Sequence, residues 1–84
     1  MRHDELAESG RYAEAADALA PLIDALPPDR HRTRGMNRLK LAHYLEQDGR
    51  GVEAQALWQR VIDDPDCEGW IKVSARKAME AHSG

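Results

Sequence analysis

The chain has 84 residues, a formal net charge of −3 and a single cysteine, Cys67. That length gives one small domain with a modest core, and the lone cysteine excludes an internal disulfide as its staple. No apolar run approaches the ~20 residues of a membrane span, and the acidic balance argues against bulk affinity for nucleic acid.

A lone thiol fits a reducing compartment, and MRHDELAESG is too polar for a signal peptide, so a cytoplasmic location is expected. Ala, Leu, Glu, Arg and Asp dominate and Phe is absent. This composition favours helix, and no stretch sustains a period-2 alternation, so the fold class is all-α with about five helices.

The first helix spans about residues 2–9, with Leu6 its only large apolar side chain and Ser9-Gly10 its stop. The second starts at Tyr12. Its apolar positions Tyr12, Ala15, Ala16, Leu19, Leu22, Ile23 and Leu26 recur every three or four residues. Pro21 removes one backbone hydrogen bond from it and should bend it, and Pro27-Pro28 ends it. Asp29 can cap a third helix over about 30–48, whose apolar contacts are Met36, Leu39, Leu41, Ala42, Tyr44 and Leu45. Gly35 weakens its first turns, which allows a later start near Thr33. A fourth helix, about 51–63, buries Val52, Ala54, Leu57, Trp58, Val61 and Ile62. After the break Asp63-Asp64-Pro65-Asp66, a fifth runs over about 67–82 with Trp70, Ile71, Val73, Ala75, Ala78 and Met79. Short connections make neighbouring helices antiparallel.

Charge falls in bands. Residues 1–29 sum to −5, 30–45 to +5, 46–69 to −5 and 70–84 to +2. Such bands can orient the molecule against itself or against a partner. The basic run holds Arg30, Arg32, Arg34, Arg38 and Lys40, and its first three arginines crowd the positive end of a helix. The plainer reading is a solvated helix entry paired with neighbouring acids. The functional reading is an electrostatic docking patch for an acidic peptide, a second subunit or nucleic acid. No aromatic residue interleaves the run, so stacking on single-stranded bases is not indicated.

The segment Gly-Arg-x-x-Glu-Ala occurs twice, at Gly10–Ala15 and Gly49–Ala54. In that register Leu19 falls on Trp58, Leu22 on Val61, and Pro27 one residue from Pro65. Each copy reads as helix, Gly turn, helix, Pro stop. The small Ala admits close approach, and the large residue four positions on fills the groove. Such a hairpin cannot bury its whole apolar face alone, so neighbours must stack on it.

The pattern resembles the tetratricopeptide repeat, W-x₂-L-G-x₂-Y then A-x₃-F then P, with a period of about 34 residues. Leu41-Ala42, Leu45, Ala54, Trp58 and Pro65 fit the second copy, with Arg38 at the Trp position. Gly10, Tyr12, Ala15, Leu19 and Pro27 fit the first, whose leading helix is abbreviated. Trp70, Val73 and Ser74 open a third, where Lys77 replaces the Tyr. The offset between copies is 39 residues, because PPDRHRTRG adds length. The resemblance implies antiparallel hairpins stacked as a short right-handed solenoid in one domain. Repeat 1 would cover about 2–27, repeat 2 about 30–65 and a capping helix about 67–82.

The same resemblance implies a concave groove that holds a peptide or protein, lined by Leu39, His43, Glu46, Ile71, Ala75 and Met79. These do not supply the Lys, Arg and Asn with which the family's chaperone-binding members clamp a terminal carboxylate, so an apolar ligand or self-association fits better.

Nothing points to catalysis. His3, His31, His43 and His82 share no helix face at i, i+4, and none pairs with Cys67 at metal-ligand spacing. Asp63, Asp64, Asp66 and Glu68 lack the Gly and bidentate Glu of a calcium loop and read as helix-start acids. Cys67 reads as a half-buried or exposed free thiol, and Trp58 and Trp70 as core. The expectation is a non-enzymatic interaction module with no cofactor or metal, binding a protein, a peptide or itself. The alternative is a small helical nucleic-acid-binding or regulatory domain using the 30–40 patch. The abbreviated first helix also admits a noncatalytic piece of a larger polypeptide.

Overall fold

A computed structural model describes residues 2–83. It contains α1 (His3–Glu8), α2 (Tyr12–Asp24), α3 (His31–Gln47), α4 (Gly51–Asp63) and α5 (Gly69–Ser83), and no strand among the described residues. Each helix packs on the next in sequence, α3 and α4 most extensively, and α3 also touches α5. The body measures 35 × 33 × 16 Å. Its thin dimension is less than two helix diameters of about 10–12 Å each. Few side chains can therefore be enclosed on every side.

The two Gly-Arg copies build one turn twice. Gly10 and Gly49 have φ of 78° and 79°, the left-handed conformation that glycine adopts without strain. Arg11 N–H donates to Leu6 O at 2.9 Å and Gly10 N–H to Ala7 O at 3.0 Å. The second turn repeats this, with Arg50 to Leu45 at 2.8 Å and Gly49 to Glu46 at 3.1 Å. Both are Schellman closures that satisfy the last carbonyls of a helix. The Arg then serves as N-cap residue of the next helix. Its guanidinium grips the Glu three residues on, at 2.7 Å for Arg11–Glu14 and 2.6 Å for Arg50–Glu53. Ala15 and Ala54 are both fully buried. A larger side chain at either would overpack the helix contact, at a cost of about 1–3 kcal/mol. The repeated hexapeptide is thus a complete helix–turn–helix connector.

The core comprises Leu6, Ala15, Ala16, Leu19 and Ile23 on the first hairpin and Ala42, Tyr44, Leu45, Ala54, Trp58 and Val61 on the second, closed by Cys67, Ile71 and Ala75. Burying a side chain such as Leu19 contributes about 1.5–3 kcal/mol. Polar contacts brace α1 against α3. His3 Nδ1 lies 3.1 Å from the Tyr44 hydroxyl, and Lys40 Nζ lies 3.9 Å from Asp4.

Several sequence expectations change. Helix α2 continues through Pro21, which is exposed, and Pro21 O accepts from the Ala25 N–H at the C-cap; the helix ends at Asp24 rather than Leu26. Asp29 does not cap α3; Arg30 occupies the N-cap position with no side-chain cap bond. Gly35 does not delay the helix, which starts at His31. It is buried, and a Cβ there would stand 3.1 Å from Cys67 Sγ and 3.3 Å from Ile71. Its missing side chain lets the start of α5 lie against α3. Cys67 is accordingly buried, contrary to the half-buried or exposed expectation. Val52 is 85% exposed, Leu22 54% and Trp70 52%, with Met36 and Val73 also exposed. Each shares an apolar stripe with core residues but stands at an edge that no further helix covers.

Candidate docking surfaces

The basic run is largely engaged within the chain. Arg32 Nε donates to Glu68 Oε1 at 2.7 Å, across from the loop before α5. Arg34 folds back and donates to Leu26 O at 3.3 Å, Pro27 O at 2.8 Å and Pro28 O at 3.5 Å. It supplies the donors that the connection after α2 lacks. Arg38 pairs with Asp64 at 3.3 Å, both largely shielded from solvent, and Lys40 approaches Asp4. The positive band therefore meets the acidic bands on either side of it in sequence. Arg30 remains exposed at the entry of α3. Burial pushes the Arg38 guanidinium below its ordinary pKa, and the nearby Arg60 adds to this, while Asp64 opposes it.

The six residues assigned to an inner groove do not form one surface. Ile71 and Ala75 are fully buried and belong to the core, where they cannot present side chains to a partner. Leu39 and Glu46 are half-buried, and Glu46 lies 3.3 Å from His82 Nδ1. His43 is exposed beside Tyr44, with ring centroids 6.3 Å apart. Met79 lines a separate groove of ≈ 430 Å³ between α4 and α5, with Ile62, Gln59, Arg76 and Glu80. These residues lie on α3 and α5, whose own helical spacing sets each side chain's direction along its helix. That spacing did not show how far the two helices are rotated toward each other.

Two further depressions adjoin on the α2–α3–α4 side. One, of ≈ 230 Å³, is lined by Ile23, Asp24, Arg38, Leu41, Leu57 and Arg60 among others. The next, of ≈ 300 Å³, shares Leu41, Leu57 and Arg60 and adds Leu45, Glu53 and Ala56. Sequence reasoning overlooked Arg60. Asp64, four residues on, would be its natural helical partner, but the structure gives Asp64 to Arg38.

The remaining reactive groups are occupied or shielded. Burial, reinforced by Asp64, raises the Cys67 thiol above its ordinary pKa and so disfavours the nucleophilic thiolate. Among the described residues no group of three His, Cys, Asp or Glu side chains could hold a metal ion. Asp64 accepts from Asp66 N–H, and Glu68 from Arg32 and the Trp70 indole, so these acids organise the loop before α5. No described helix is long and apolar enough to cross a membrane. No protein-family model, curated protein or solved structure matches this chain.

Proposed function

We propose that the chain is a non-enzymatic interaction module of the tetratricopeptide type, which docks a protein or peptide partner, or a second copy of itself, on grooves between stacked hairpins. The reading rests chiefly on the duplicated connector. Two turns with the same φ, the same pair of closing hydrogen bonds, the same Arg–Glu fork and the same buried Ala support one hairpin used twice. Helices packed on their sequence neighbours are what a stacked array requires.

Of the residues that the resemblance assigns to docking, Leu39, His43 and Glu46 remain accessible on α3 and Met79 lies apart in the α4–α5 groove, Ile71 and Ala75 being used by the core. Intramolecular pairing of Arg32, Arg34, Arg38 and Lys40 weighs against the alternative of a nucleic-acid surface, because charges already neutralised release few counterions on binding phosphate.

The test is capture of a partner by the wild-type chain beside two variants, His43→Glu/Met79→Glu and Arg30→Ala/Arg32→Ala/Arg34→Ala. Circular dichroism verifies that each stays helical. The first variant is expected to lose the partner. Loss with the arginine variant alone would refute the groove reading in favour of the basic patch.

A further inference from the structure

We infer that His82 is a pH-responsive latch. Protonated, its imidazole fastens the last turn of α5 onto the second glycine turn; deprotonated, it holds that turn less firmly. The latch stands on the contacts alone and goes beyond the interaction-module reading, although Met79, one turn before His82, links it to the α4–α5 groove.

Gly51 makes the seat. It opens α4, and a Cβ there would stand 2.6 Å from both Cε1 and Nε2 of His82. Bare backbone is what lets the ring lie so close. The seated ring meets a helix on each side. Its centroid is 5.9 Å from the nearer ring of Trp58 on α4, and its Nδ1 lies 3.3 Å from Glu46 Oε2 in the last turn of α3. One side chain therefore ties three helices together beside the turn built by Gly49 and Arg50. Gly35 admits the start of α5 against α3, and His82 fastens its end about three turns later.

The charges around the ring set the sign. From α3 it faces the Glu46 carboxylate. From α4 it faces Gly51 and Trp58, neither of which is ionisable. On α5 the residues one turn back are Ala78 and Met79. The negative ends of α3 and α5 favour a cation at this place, and the positive end of α4 opposes it. Neither Glu46 nor His82 has another ion pair among the described residues. Proton uptake therefore turns a hydrogen bond into an ion pair. The closed arrangement gains as pH falls through the range where histidine changes charge, roughly pH 8 to 5, and loses that gain as pH rises. Both side chains are about a third exposed, so the gain is that of a surface ion pair, a few-fold in the closing equilibrium.

The latch is tested on the full chain carrying Trp70→Phe, an exposed substitution that leaves Trp58 as its one tryptophan. A protonated imidazole beside an indole quenches it. Trp58 emission should therefore fall between about pH 8 and pH 5.5. Over that interval hydrogen-exchange protection in the last turn of α5 should rise about two- to fivefold, the worth of such an ion pair. The Met79 methyl resonance should move with the same midpoint as the His82 ring signals. Gly51→Ala unseats the ring although alanine is the better helix former, so it should abolish both the quenching and the rise in protection. Glu46→Gln leaves the ring against Trp58, so it should keep the quenching and lose the rise. Quenching that survives Gly51→Ala, or a rise in protection that is absent from the parent or survives Glu46→Gln, overturns the latch. A Met79 methyl that ignores the titration overturns its link to the groove. The interaction-module reading is decided separately by the capture experiment.

Discussion

Replacing Gly49 by alanine isolates the role of the repeated turn. Gly49 has φ of 79°, and a Cβ at that position would meet nothing within 4 Å. Neighbouring groups therefore add no steric cost, and the penalty is the local one of placing an L-residue in the left-handed region, about 1–2 kcal/mol. Alanine also restricts the unfolded chain, which returns about 0.4–1 kcal/mol. The net destabilisation is about 1 kcal/mol, or a fall of about 4–8 °C in Tm for a domain of this size. Gly10→Ala suffers the same local strain, but its measured effect should be no larger. Helix α1 has six residues and a single buried side chain, Leu6, so it can detach before the rest unfolds. D-alanine at position 49, introduced by chemical synthesis, reverses the sign. It prefers the left-handed region and still restricts the unfolded chain, so it should stabilise by a few tenths of a kcal/mol or more. Urea unfolding of the four chains measures all of this. If L-alanine at 49 is neutral, or no worse than D-alanine, the turn is not held as described.

The two tryptophans should behave oppositely. Trp58 is 3% exposed and packs against His82, so Trp58→Ala should cost about 3–5 kcal/mol. Trp70→Ala should cost under about 1 kcal/mol, in line with surface substitutions, and the remaining tryptophan in each variant should emit at the blue or red end of the fluorescence range accordingly. Arg32 and the Trp70 indole hold the Glu68 carboxyl below its ordinary 4.5. A depressed carboxyl contributes stability above its unfolded pKa and loses it as pH falls through the folded value. Stability should therefore decline below about pH 4.5, and Glu68→Gln should flatten part of that slope in acid titrations followed by denaturant unfolding. Cys67, buried and raised in pKa, should react with a disulfide reagent at pH 8 at least about tenfold more slowly in the folded chain than in urea, as thiolate chemistry requires access.

Local features were the most legible in the sequence. The bounds of α4 follow from its apolar spacing between Gly51 and Asp63, and both glycine turns follow from a residue that alone tolerates positive φ. The charge bands also translated into contacts, because a basic segment flanked by acidic ones has partners on both sides. What depended on a third helix was not legible. Trp58 and Trp70 occupy equivalent apolar stripes, yet only Trp58 is covered, since periodicity orients a face without showing what lies opposite it. Gly35 read as a weak point in α3, whereas its value is the close approach of Cys67 and Ile71 from the far end of the chain. The same rotation of α5 draws Ile71 and Ala75 into the core and leaves Met79 facing α4. That Asp64 serves Arg38 rather than Arg60, four residues before it, is likewise a contact between helices that spacing within α4 does not show.

The most direct check is the set of through-space proton contacts made by the methyl groups of Ala15 and Ala54 in the labelled protein. Both methyls should show strong cross-peaks to side chains of adjoining helices, as their complete burial demands. Cross-peaks confined to their own helices, together with exchange of water at those methyls' surroundings, would mean that the hairpins do not pack on one another.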